Sequence, residues 1–388
     1  MKNHLKMCRV AISLVTLFRL VAFTASLWSG HNEARAAAKN VWIELPASTY
    51  TNSVNVTNCI GDTVYFEART WWPEGASWSW SGATMTTPAT YYYSYAQKTY
   101  LTAGGPFSVT ATYGGDTSYA ARVHVIAVAS ATASEGTVID DGDGDPHTKT
   151  FVVCQGTGNV TVTATSNPSL TEEQLDNTCW CWGTTGGSGD DRLTRTVSKS
   201  ECRSTSVTFS AGTSYKRITV VVVCVGGLSL SEGDLIQGSS PPTCVTCVGT
   251  GDVSAYAWPD PWLEEAQLPG CWSFTNGTAV GLGKFERKVS KSTPGSTTFT
   301  ATAGTSSATK ILKVLEVSSL TISGNGGIYW FNDGDGDPNT DLYLVHWGTG
   351  TVYVDASPSP SVLDESQLPS CWSFTGGEAI GQGKLHRF

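Results

Sequence analysis

Residues 139–148 read IDDGDGDPHT, and residues 331–340 read FNDGDGDPNT. Carboxylates on alternate residues, with glycines between them to let the chain curl, can converge on one hard cation. Calcium suits such a set, because it takes six to eight oxygens and tolerates irregular geometry. The candidate ligands are Asp140, Asp141, Asp143 and Asp145 in the first loop, and Asp333, Asp335 and Asp337 in the second. Neither loop follows the EF-hand spacing: Pro146 and Pro338 stand at the sixth position, and Val152 and Leu344 at the twelfth. Backbone carbonyls, Asn332, water or a neighbouring segment would have to complete the shell. The competing reading is an acidic surface turn, since Asp and Gly favour turns. Four carboxylates within residues 140–145 repel one another without a counter-ion, which is the argument for calcium.

Other chemistry is sparse. Beyond the N-terminal segment the histidines are His124, His147, His346 and His386, none at metal-site spacing from another. Neither G-x-S-x-G nor H-E-x-x-H occurs, and the expectation is a non-enzyme, with a hydrolase of unrecognised site as the remote alternative. Aromatics concentrate at Trp71, Trp72, Tyr91 and Tyr93. Exposed aromatic clusters mark binding surfaces, so these four residues are candidates for stacking on sugar rings, against ordinary packing.

The elements that must position these residues are repeats. GTG begins at Gly156, Gly249 and Gly348, at spacings of 93 and 99, and Gly61 of a weaker copy lies 95 before Gly156. VTVTAT, VSAYAW and VYVDAS alternate with period two, as half-buried strands do. The recurring segment SLTEEQL, WLEEAQL or VLDESQL is the one helical hint, and Ser169 with Glu172 has capping-box spacing. Trp180, Trp272 and Trp372 each fall on a central strand, with Trp182, Phe274 and Phe374 two residues on.

About seven short strands per repeat with a central-strand Trp is the pattern of an immunoglobulin-like sandwich. The fold class is therefore all-β, in tandem modules at 39–128, 129–224, 225–317 and 318–388. The G-x-x-V-x-V-x-A strand, the C-W-x-F strand and the T-F-x-A-x-A-G-T-S ending resemble the bacterial Ig-like (Big-like) domains of secreted and surface proteins. The PKD-type signature W/Y-x-F-G-D-G is missing. The resemblance implies a spacer, matrix component or adhesin, and a carbohydrate-binding accessory protein is the alternative. The partner expected of an adhesin is a surface protein, and the aromatic cluster of the first module makes an extracellular polysaccharide the partner on the alternative reading.

Residues 1–38 have the order of a secretory signal peptide: Lys2, Lys6 and Arg9, an apolar run, then ARAAAK. Its removal leaves 19 basic and 32 acidic residues (24 − 5 and 33 − 1), a net charge of −13. That balance argues against nucleic acid, and no later stretch is long enough to span a membrane. An exported chain pairs its cysteines. Within modules, Cys154 or Cys181 with Cys202 is the easier bridge, while Cys154–Cys179 and Cys247–Cys271 span opposite strand ends; Cys59 and Cys371 lack a partner in their own modules and are expected to be free or intermolecular. Residues 289–317 of the third module have no counterpart in the fourth, so the chain is expected to be a fragment of a longer protein, or to be completed by strands from another molecule.

Overall fold

The structure, a computed structural model, describes residues 41–44, 55–70, 77–86, 92–140, 142–172, 175, 180–184, 192–325, 327–331, 334–346, 348, 350–362 and 364–388. The expected signal peptide lies outside the described residues. The protein is all-β, built as tandem Ig-like sandwiches. It divides into two compact units, one made of residues up to 152 with 157–199 and 204–221, the other of 153–156, 200–203 and 222–388.

In the first unit, the alternation of TVYFEART turns Val64, Phe66 and Ala68 inward and Tyr65, Glu67 and Arg69 outward. That strand, Thr63–Thr70, sits between Val41–Glu44 and Tyr93–Thr99, with Thr84–Met85 beyond. The facing sheet holds Trp78–Ser81, Gly104–Tyr113 and Ala121–Ala133, with Asn55–Cys59 parallel to the last. This is the A-B-E-D over C-F-G arrangement of an Ig-like sandwich. Val64, Phe66, Trp78, Val109, Tyr113 and Val123 fill the space between the sheets.

Ala121–Ala133 does more than close this sandwich. Its first half pairs with 104–109, and 127–133 pairs with Asn159–Asn167 of the following module. Ser214–Leu230 pairs first with Ser204–Ala211 and then, beyond a register shift at Val225/Gly227, with Asp252–Asp260. Ser306–Gly324 repeats the device, pairing with Gly295–Ala303 and then with Val352–Ser359 across a shift at Val317/Ser319. The last strand of one module is thus the first strand of the next. The sequence reading separates modules at 128/129, 224/225 and 317/318, but each of those points lies inside one strand. The physical reason shows at Val220–Val223, all four buried. A strand covered on both faces loses the period-two alternation, so no break is visible in the run.

In the second unit, the third module sets 224–230, Asp252–Asp260, Glu286–Ser290 and Thr278–Val280 against Trp272–Thr275, Gly295–Ala303, 306–315 and Thr243–Cys247. The fourth module builds the first of these sheets, from 316–324, Val352–Ser359, His386–Arg387 and Ala379–Ile380. Of the second sheet, the described residues of this module form the hairpin Ile328–Phe331/Leu342–Val345. The helical hint is reduced to single 3₁₀ turns, Glu265–Gln267 and Glu365–Gln367, because the segment is too short for a helical nucleus to propagate.

Candidate functional site

The acidic loops fold back on themselves in the same way twice. Asp143 accepts from the Asp145 N–H at 2.8 Å and from the Thr148 hydroxyl at 2.7 Å. Asp335 accepts from the Asp337 N–H at 2.7 Å and from the Thr340 hydroxyl at 2.8 Å. Asp140, Asp145 and Asp337 each take the N–H two residues on, from Gly142, His147 and Asn339. These are Asx turns, and Gly144, at φ +66°, supplies the left-handed residue between Asp143 and Asp145. The repeated Asp-Gly-Asp-Pro-x-Thr writes this turn. Thr148 and Thr340, which the chemistry-first reading overlooks, hold it closed. Asp141 and Asp333 lie outside the described residues. Among the described residues no three His, Cys, Asp or Glu side chains converge as a metal shell would require. In the third module the aligned Asp234 accepts from the Ser370 N–H.

The first loop is also docked. The Tyr215 hydroxyl donates to Asp145, the His147 ring lies 5.2 Å from that of Tyr215, and the Arg217 N–H reaches the His147 carbonyl at 2.9 Å. The Tyr215 hydrogen bond, with the His147 N–H second, holds the Asp145 carboxyl below its ordinary range. A depressed folded pKa contributes stability above the unfolded value, about pH 4, and loses it as pH falls through the folded value. Tyr215→Phe is therefore expected to raise the Asp145 pKa toward an ordinary aspartate. An NMR carboxyl titration reads this directly, and an unchanged midpoint would mean that the tyrosine does not clamp the loop.

The repeated aromatic and charged residues build a second device. The indoles of Trp180, Trp272 and Trp372 are buried, and each donates to a carbonyl twelve residues on, those of Arg192, Lys284 and Lys384, at 2.8–2.9 Å. The Lys284 and Lys384 ammonium groups return to the Leu268 and Leu368 carbonyls. Glu265 accepts from the N–H groups of Lys284 and Phe285, and Glu365 from those of Lys384 and Leu385. Glu172 takes the Leu193 N–H at 3.1 Å, so its carboxylate serves this turn rather than a capping box with Ser169. Apart from the capping-box spacing of Glu172, the motifs named above carry no role for these Glu and Lys residues. The signal was present in G-x-G-K-F and G-x-G-K-L, which recur at a fixed distance from the Trp.

In the first module, Trp71, Trp72 and Tyr91 lie outside the described residues. Tyr93 is exposed, with the Arg69 guanidinium 5.2 Å from its ring centre. Register pairs Arg69 with Tyr93 and Glu67 with Tyr95, and places Tyr65 two residues before Glu67. Tyr65, 62% exposed, with Tyr93 and Tyr95, forms an aromatic row on the outer sheet face, with Glu67 and Arg69, paired at 2.8 Å, among the rings. Period-two counting along TVYFEART would have found Tyr65.

The cysteines correct the sequence reading. Cys154 is bonded to Cys271 and Cys247 to Cys371, with Cα atoms 6.2 and 6.1 Å apart, and Cys202 to Cys224. Cys59 is also disulfide-bonded. Neither Cys154 nor Cys181 pairs with Cys202, and neither Cys59 nor Cys371 is free. Two of the bonds, Cys154–Cys271 and Cys247–Cys371, join successive modules, the first of them where the turn after Gly295–Ala303 meets the end of Thr148–Cys154. There the Thr305 N–H donates to the Gln155 carbonyl at 3.0 Å. A Cβ on Gly304, at φ +65°, would lie 1.9 Å from that carbonyl oxygen, so this turn admits only glycine. Cys244, which with Cys247 spells a C-x-x-C, is a buried free thiol whose pKa is raised by burial.

Neither a family model nor a curated protein matches this sequence. Solved structures align loosely. The titin I-band fragment I67–I69 is 11% identical over 72% of this chain and 99% of that chain, with a TM-score of 0.31. The ICAM-5 D1–D4 ectodomain fragment is 10% identical over 85% and 96%, at 0.26. Three N-terminal domains of the bacteriophage RB49 Hoc capsid protein are 11% identical over 72% and 100%, at 0.30. The Ig-like assignment rests on this chain's own strand order. Among the described residues no helix is long and apolar enough to cross a membrane.

Proposed function

We propose that this is a non-enzymatic tandem Ig-like protein of the cell exterior, of the Big-like kind, acting as spacer, matrix component or adhesin. The observation that carries this reading is the joining of successive modules by shared strands and by disulfides. Such cross-links persist in oxidising compartments, and the repeated Trp, Glu and Lys side chains hold turns. Fractionation is expected to find the chain outside the cytoplasm with these cysteines oxidised. A reduced, cytoplasmic chain would sink the proposal.

The aromatic row of Tyr65, Tyr93 and Tyr95 favours a second reading, a carbohydrate-binding face on the first module. Retention of the full chain on an immobilised polysaccharide, abolished by Tyr65→Ala with Tyr95→Ala, would support it. Calcium belongs to the proposal as well, through the carboxylates of the two acidic loops. If they bind it, calcium raises the melting temperature by linkage, and Asp143→Asn with Asp335→Asn removes the increment. Identical melting curves in calcium and in chelator would leave these loops as turns alone.

A further inference from the structure

Two outward positions on the strand after each repeat glycine are polar in three modules: Glu67 and Arg69, Thr163 and Thr165, Asp355 and Ser357. In the third module they are Tyr256 and Trp258, 40% and 38% exposed and roughly 7 Å apart along the strand. The neighbouring strand changes with them. Register pairs Trp258 with Gly227, whereas the second module pairs Thr165 with Ser130 and the fourth pairs Ser357 with Ser319. A Cβ on Gly227 would lie 2.2 Å from the indole Cζ2, and one on Gly226 would lie 2.9 Å from its Cδ1. The indole therefore lies along both glycines, with one face on the backbone and the other toward solvent. In the second module the Ser130 and Thr165 hydroxyls meet at 2.7 Å, so a small polar pair is enough for the fold at this place. Glycine inside a strand weakens it, and an aromatic ring in water adds nothing to the core. Such exposed apolar surface marks a binding site.

The groups beside the rings are polar. Glu286 stands opposite Tyr256. The Ser254 hydroxyl donates to its Oε1 at 2.9 Å, and Lys288 approaches the same oxygen at 3.9 Å, which leaves Oε2 to accept from a ligand. Aromatic faces next to hydrogen-bonding groups fit a sugar ring, whose C–H face is apolar and whose edge carries hydroxyls. The outward charges of Asp252–Asp260 and Glu286–Ser290 are Asp252, Asp260 and Glu286 against Lys288, a balance that repels polyanions. We propose that Tyr256 and Trp258 form a stacking platform for a neutral polysaccharide of flat pyranose rings, with Glu286 accepting from its hydroxyls. This site is on a different module from the tyrosine row of the first and does not depend on that row.

The test is affinity electrophoresis of the full chain through gels containing hydroxyethylcellulose, mannan or alginate. It is run with Tyr65→Ala and Tyr95→Ala in place, which removes the first module's row. Retardation by at least one of the two neutral polymers is expected, and none by alginate. Trp258→Thr with Gly227→Ser restores the second module's pair, and should weaken retention at least about tenfold, the scale of losing one central aromatic contact. The exchange copies a pair the chain already folds with, and an unchanged melting curve checks this. Tyr256→Ser, which leaves Trp258 and Gly227 untouched, should weaken retention as well and keeps the test open if the exchange fails to fold. Retention by neither neutral polymer, retention indifferent to these substitutions, or retention by alginate instead would overturn the proposal. So would loss of retention on removing Tyr65 and Tyr95 alone, which would place binding on the first module. A dimer in sedimentation that the Trp258 exchange dissolves would overturn it too, by making the platform a contact between copies.

Discussion

Replacing Cys154 and Cys271 with alanine is expected to lower the unfolding free energy by about 4–5 kcal/mol. The bond closes 117 residues, and on the chain-entropy view a cross-link of that span restricts the unfolded ensemble by about that amount. The same holds for Cys247–Cys371, which closes 124. Urea denaturation of the paired alanine variants measures the effect, and a loss below about 1 kcal/mol would show that the junctions are held by their shared strands alone. Peptide mapping extends the pattern. Cys179 precedes Trp180 as Cys271 precedes Trp272, and Cys59 to Cys179 is a separation of 120 (179 − 59). Cys59 is expected to be recovered linked to Cys179, and recovery with any other cysteine would break the repeat.

Trp272→Ala is expected to cost about 3–5 kcal/mol, the range for removing a large buried aromatic. The substitution removes the packing of a buried ring and leaves the Lys284 carbonyl, now 2.9 Å from the indole nitrogen, without its donor. Trp272→Phe keeps most of the volume and should cost about 1–3 kcal/mol, the range for an unmet buried polar group. Trp262 is the control: at 69% exposed, its alanine variant should stay within about 0.5 kcal/mol of the parent. Equal losses at the two tryptophans would contradict the assignment of Trp272 to the core.

Much of the fold is legible in the sequence because alternation survives wherever a strand has one face in water. Thr63–Thr70 and Asn159–Asn167 are such strands, and the recurrent GTG and Cys-Trp fix the period. The shared strands are not legible: at the second junction both faces are covered and Val220–Val223 reads as an unbroken apolar run. The disulfides are missed for a different reason. Strand spacing constrains pairs inside one module, whereas Cys154 and Cys247 each reach forward into the next. In the acidic loops, Asp-Gly-Asp-Pro-x-Thr carries the ligand types of a cation loop, and carboxylate oxygens of the same residues accept from backbone N–H groups two residues on. The Thr148 and Thr340 hydroxyls, which close these turns, are not legible as such from the charge pattern.

The order of the cross-links has a mechanical consequence. The loops closed by Cys154–Cys271 and Cys247–Cys371 overlap between 247 and 271. Between Cys154 and Cys371 the backbone runs through 217 residues (371 − 154), but the covalent path by way of the two sulfur bridges crosses only 24 (271 − 247). At roughly 3.5 Å per extended residue, that is a reach of roughly 80 Å rather than roughly 750 Å. Pulled from its ends, this stretch behaves as overlapping links of a chain. Every strand in it can lose its hydrogen bonds and the tether still does not pay out, until a reductant opens the links.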